Sequence, residues 1–160
     1  MIYHKNCSSF TNIADIDLLT LANPRTTAKY DTINVRKMGI NRDSSVPAVG
    51  TVLTFAGWGQ TSGREGGESV TRLRRANVTV AAWEDCVATG IARRAPLPDG
   101  LEACALCTSG AAEGTSACGG DSGGPLYYRD RSPTGRLVYR VAGISSFVLG
   151  DKEDPKTNTV

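Results

Sequence analysis

Three observations predict an all-β fold. Apolar runs are short and rich in β-branched and aromatic residues; glycine and other turn formers interrupt them at close intervals; and only one segment has helical character. In chain order, residues 51–56, 78–80 and 137–141 have the composition of strands. The Gly-rich segment 62–69 is a loop between the first two. Residues 81–89 read as a short helix, with Gly90 as its stop. No repeat or low-complexity segment is present, and residues 150–160 are polar and without pattern.

The chain has 160 residues, enough for one domain with a sizeable core. A formal net charge of +2 argues against nucleic acid as a partner. The run Arg72-Leu73-Arg74-Arg75 and the pair Arg93-Arg94 read as a solvated basic face. No apolar stretch is long enough to span a membrane, so no membrane partner is expected. The first residues have no hydrophobic signal region, which alone would keep the chain in the cytosol. The cysteines oppose that reading. Cys7, Cys86, Cys104, Cys107 and Cys118, together with Asn6-Cys7-Ser8 and Asn77-Val78-Thr79 as glycosylation acceptors, lean towards secretion. A zinc set from Cys104, Cys107, Cys86 and Cys118 is the rival use of these thiols. A single CxxC without a second pair is a weak zinc signal, so neither metal nor cofactor is expected.

Residues 118–126 read Cys-Gly-Gly-Asp-Ser-Gly-Gly-Pro-Leu. Glycines this dense let the backbone approach a reacting atom closely and converge N–H groups upon it. Ser122 is therefore the candidate nucleophile. The same residues fit the Gly-x-Ser-x-Gly elbow of α/β-hydrolases, but that fold places its histidine after the serine. No histidine follows Ser122, and strand–helix alternation is absent.

Four segments together resemble the chymotrypsin/trypsin-like serine protease family. Residues 14–21 (ADIDLLTL) resemble its Asp-Ile-x-Leu-Leu strand end, and Gly57-Trp58-Gly59 the opening of its second barrel. Residues 107–126 resemble the serine segment, and residues 143–147 (GISSF) the strand that pairs with substrate. The resemblance implies a double Greek-key β-barrel. On it, residues 1–22 end the first barrel, 23–49 link the barrels, and 50–160 form a truncated second barrel. It makes Ser122 the nucleophile and Asp15 the carboxylate that orients the base, with Asp17 the rival. The N–H groups of Gly120 and Ser122 become the oxyanion hole, and Asp121 the partner of an N-terminal ammonium after zymogen cleavage. Cys86 and Cys107 match a family disulfide, which leaves Cys118 free or bonded to Cys104. Leu53 and Tyr128 stand where another bridge has lost both ends. Ser116 falls at the base of the specificity pocket and Ser146, Phe147 and Val148 along its wall. Without an acid at Ser116, a small apolar side chain is the expected preference.

The base is the missing part. In the family it precedes the aspartate by about 45 residues, whereas His4, the sole histidine, lies eleven before Asp15. The chain therefore reads as a fragment of a secreted serine endopeptidase acting on protein or peptide. Alone it is expected to be inert, with a segment of the same domain as its partner. The alternative is a non-catalytic pseudoprotease that serves as a binding or regulatory module.

Overall fold

Residues 52–57 alternate in burial along the chain, because the pleat of a strand turns Leu53 and Phe55 to one face. Both side chains are buried there, while Val52 is exposed. This strand is central to the computed structural model, which describes residues 2–3, 13–20, 22, 38–61, 68–92, 96–109 and 117–149. In chain order the described elements are β1 (Ile2–Tyr3), β2 (Asp17–Leu18), β3 (Gly39–Ile40), β4 (Val52–Gly57), β5 (Arg74–Val80), α1 (Trp83–Ala92), a 3-10 turn (Leu101–Ala103), β6 (Thr108–Ser109), β7 (Pro125–Arg131) and β8 (Leu137–Ile144).

Six strands form one mixed sheet in the order β3-β8-β7-β4-β5-β6, and β1 pairs with β2 in a separate ribbon. The large sheet is not closed among the described residues, because β3 and β6 are its two unjoined ends. This is the mostly β architecture that the sequence predicts, and it is consistent with a trypsin-like fold. Register brings the apolar face together: Leu53 lies opposite Val78, and Phe55 opposite both Ala76 and Leu126. Leu53, Phe55, Val78, Val80, Ala117 and Leu126 form the main core cluster. Tyr128 packs against it from the side. Leu53 and Tyr128, the two positions of the lost bridge, thus belong to one apolar cluster.

β7 is not among the strands read from composition: its apolar run, Leu126-Tyr127-Tyr128, is short and lies between Pro125 and the charged Arg129-Asp130-Arg131. Its partner supplies the reason for it. β8 pairs with it along its whole length, and the Arg140 side chain donates to Asp130 across the hairpin. That hydrogen bond holds the Asp130 carboxyl below its usual range. Residues 38–49, the described part of the expected linker, add β3 parallel to β8 as an edge strand.

The helix departs from expectation at its end. It runs Trp83–Ala92, through Gly90 rather than stopping there. Cys86 and Gly90 are its buried residues, one turn apart on one face. Gly90 therefore lies within the helix on its buried face and does not terminate it. Beneath it Cys86 and Cys107 are joined in a disulfide with a Cα–Cα distance of 6.0 Å. A second cluster surrounds that bridge, with Leu149 buried and Trp83, Leu97 and Phe147 packed on it.

Leu53 is fully buried at the centre of this arrangement. Leu53→Ala removes three side-chain carbons and leaves a cavity, and is expected to cost about 2–5 kcal/mol. Urea unfolding of the full-length protein followed by tryptophan fluorescence checks this, with Val52→Ala on the exposed face as the near-neutral control.

Candidate active site

The serine loop is two tight turns in succession. Asp121 N–H donates to Cys118 O at 3.1 Å, closing residues 118–121, and Gly124 N–H donates to Asp121 O at 2.9 Å, closing residues 121–124. The third residue of each turn has positive φ, +91° at Gly120 and +81° at Gly123. That combination is a type II turn, which needs glycine at its third position. Ser122 is the second residue of the second turn and is exposed. Its hydroxyl has no protein partner among the described residues.

The loop is anchored at three points. Asp121 is buried, and its carboxylate accepts Gly59 N–H at 2.7 Å and Cys118 N–H at 3.0 Å. Gly57 and Gly59 leave the space for it: a Cβ at either would lie 2.0 Å and 2.3 Å from the carboxylate group respectively. The second anchor ties Gly123 N–H to Ser145 O and Ser145 N–H to Gly124 O, each at 2.8 Å. In the third, Gln60 N–H donates to Gly119 O at 2.9 Å. In a trans peptide the C=O and the following N–H point in opposite directions. The Gly120 N–H is thereby turned away from Gln60. Neither it nor the Ser122 N–H has an acceptor among the described residues, so both remain available to an anion.

Cys118, which opens the loop, is a free thiol. Burial, and secondarily the Asp121 charge, push it up, so the group stays protonated and a poor nucleophile. Cys104 is also free, so the expected alternative of a Cys104–Cys118 bridge is not formed. With Cys86 and Cys107 in a disulfide, the rival zinc set loses two of its four thiolates.

Asp15 lies on the ribbon side, exposed, and its Oδ2 accepts the Ser146 hydroxyl at 2.7 Å. Ser145 holds the serine loop and Ser146 holds Asp15, so consecutive residues of one segment carry both groups. No side-chain hydrogen bond of Asp17, the rival, is found among the described residues; it lies in β2, where its main chain pairs with Tyr3. A cavity of about 400 Å³ opens beneath Asp15, between Ser146, Phe147, Trp83 and Cys104. Ser122 and Asp121 do not line it. Of the residues expected along the pocket wall, Phe147 packs on the disulfide cluster and Val148 on the main core. Ser116 and His4 lie outside the described residues. Two parts of the site carry weak sequence signals, Gln60 and Ser145, because each acts through its main chain.

A family model described as Trypsin matches residues 1–160. Trypsin eta of Drosophila melanogaster is 32% identical over 150 residues, which are 94% of this chain and 49% of that protein. Coagulation factor XII of Bos taurus is 37% identical over 99 residues, 62% of this chain and 15% of the relative. Serine protease 56 of Homo sapiens is 31% identical over 123 residues, 77% of this chain and 19% of the relative. The chain spans about half the length of the trypsin eta proteins it matches.

Gly59→Ala tests the carboxylate cradle. Its Cβ meets the carboxylate well inside contact distance, and the Asp121 side chain has no freedom to retreat without losing both N–H partners. The substitution is expected to destabilise the full-length protein by about 1–3 kcal/mol through the displaced hydrogen bonds. Thermal unfolding measures it, and Gly50→Ala, facing open space but at positive φ, provides a strain-only comparison.

Proposed function

The chain belongs to the trypsin family, and from that membership we propose that it is the nucleophile-bearing part of a serine endopeptidase domain. In this reading Ser122 attacks the carbonyl carbon of a peptide bond and becomes acylated, while the amine leaves with a proton. Water then hydrolyses the ester and restores the hydroxyl. The observation that carries the reading is the Ser122 turn: an exposed hydroxyl beside two N–H groups, all three unpartnered among the described residues, on a loop fixed at three points. The N–H groups of Gly120 and Ser122 stabilise the oxyanion, which is generally the largest electrostatic contribution.

Asp15 is assigned the carboxylate role, because Ser146 ties it to the segment that also binds the serine loop. It orients and stabilises a histidine supplied by another part of the same domain. Asp121 receives an N-terminal ammonium in the active form. Ser116 at the pocket base and Val148 on its wall favour a small apolar residue before the scissile bond. The substrates are protein or peptide chains, and the disulfide together with the Asn77 acceptor fits an extracellular site of action.

Without a base, Ser122 remains a weak hydroxyl nucleophile. Removal of a triad member costs on the order of 10⁶ in turnover, or roughly 8 kcal/mol of transition-state stabilisation. A fluorophosphonate probe is therefore expected to label the full-length protein at Ser122, as mapped by peptide mass spectrometry, and not to label Ser122→Ala. Residues 1–160 expressed alone are expected to remain unlabelled. A folded full-length protein that also resists the probe supports the pseudoprotease reading instead.

A further inference from the structure

Among the described residues the Asp15 segment has few ties to the rest of the molecule. Asp15, Ile16, Leu18 and Leu19 are all exposed. Ala14 is the exception: it is buried, and it is the non-glycine residue with positive φ (+52°) among the described residues. An alanine in the left-handed region is disfavoured and persists only where its surroundings hold it. The following carboxylate depends on that conformation. Ile16 N–H donates back to Ala14 O at 2.8 Å, so Asp15 is the middle residue of a tight three-residue turn whose entry is Ala14.

Cys104 is what holds Ala14. The Ala14 N–H donates to Cys104 Sγ at 3.4 Å, across ninety positions of sequence. The thiol in turn donates to Leu101 O at 3.5 Å, and its own backbone N–H returns to the same carbonyl at 3.0 Å. Leu101 is buried at 1% exposure, and Cys107, three residues on from Cys104, is locked in the disulfide. The sulfur is thus presented from a rigid frame. A neutral thiol both accepts and donates, and here it does both.

We propose that Cys104 is a positioning residue for Asp15: its sulfur accepts the Ala14 N–H and holds the left-handed backbone that aims the carboxylate at Ser146. The assignment rests on Asp15 as the working carboxylate, while the tether itself does not. Among the described residues, Cys104 fixes the main chain of this turn and Ser146 fixes its side chain. Two ties of different kind set both the place and the direction of one carboxylate. The role also accounts for an unpaired cysteine at an exposed position without recourse to a ligand.

Amide hydrogen exchange and steady-state kinetics on the full-length protein test the proposal, with Cys104→Ala and Cys104→Ser as the variants. In Cys104→Ala the Ala14 amide is expected to exchange about three- to tenfold faster, the scale of one weak hydrogen bond. The Leu53 and Val78 amides are expected to stay unchanged, which separates loss of the tether from general unfolding. The kcat for a peptide ester is expected to fall by a similar factor at constant KM, and Cys104→Ser, which retains an acceptor and a donor, is expected to recover part of both effects. Unchanged Ala14 exchange in Cys104→Ala overturns the proposal, as does acceleration spread equally over Leu53 and Val78. Faster Ala14 exchange with unaltered kcat overturns the positioning role and Asp15 as the working carboxylate. A wild-type protein without esterase activity overturns the functional reading, and Ala14 exchange then decides the tether separately.

Discussion

The carboxylate of Asp121 is the constraint on which the serine loop depends. It is buried, it accepts two backbone N–H groups, and it occupies space that exists only because residues 57 and 59 have no side chain. A buried carboxylate is costly unless its oxygens are satisfied. The sheet end around Gly57 and Gly59 satisfies one oxygen, and the start of the loop satisfies the other. Since Asp121 immediately precedes Ser122, fixing this side chain also fixes the peptide that carries the Ser122 N–H.

The other anchors complete what that carboxylate begins. The β7–β8 ladder extends past its last paired residues through Gly124 and Ser145, so the sheet grips the loop from its far side. Gln60 takes the Gly119 carbonyl and leaves the Gly120 N–H facing the other way. These two anchors are main-chain hydrogen bonds and require close backbone approach, which is why glycines crowd this part of the chain. At Gly124 a Cβ would lie 2.8 Å from two carbonyl oxygens, those of Ala56 and Asp121. The loop is thus built by contact between backbones, with Ser122 as the side chain left outward.

Much of this was legible in the sequence, and what was not has a physical reason. The β-branched and aromatic content of residues 51–56 marks β4, and glycine density marks the turns around Ser122. β7 was hidden because only Leu126-Tyr127-Tyr128 has strand composition, while Pro125 and the charged residues 129–131 are drawn into the strand by pairing with β8. Gly90 was misleading as a stop, since a glycine can also lie within a helix on its buried face. The tie between Asp15 and Ser146 spans 131 positions, and the Cys104 tie to Ala14 spans ninety. No local pattern encodes contacts of that range. The resemblance to a family could name Asp15, whereas Cys104, given no role of its own by that resemblance, became interpretable only through its geometry.

The serine loop stands most directly on Asp121. Amide hydrogen exchange in Asp121→Ala against wild type, on the full-length protein, measures whether that carboxylate holds the two N–H groups. The Gly59 and Cys118 amides are expected to lose protection together, by about tenfold or more as a charge-assisted bond is removed, while Leu53 and Val78 in the core keep theirs. Unchanged protection at both Gly59 and Cys118 would contradict this dependence.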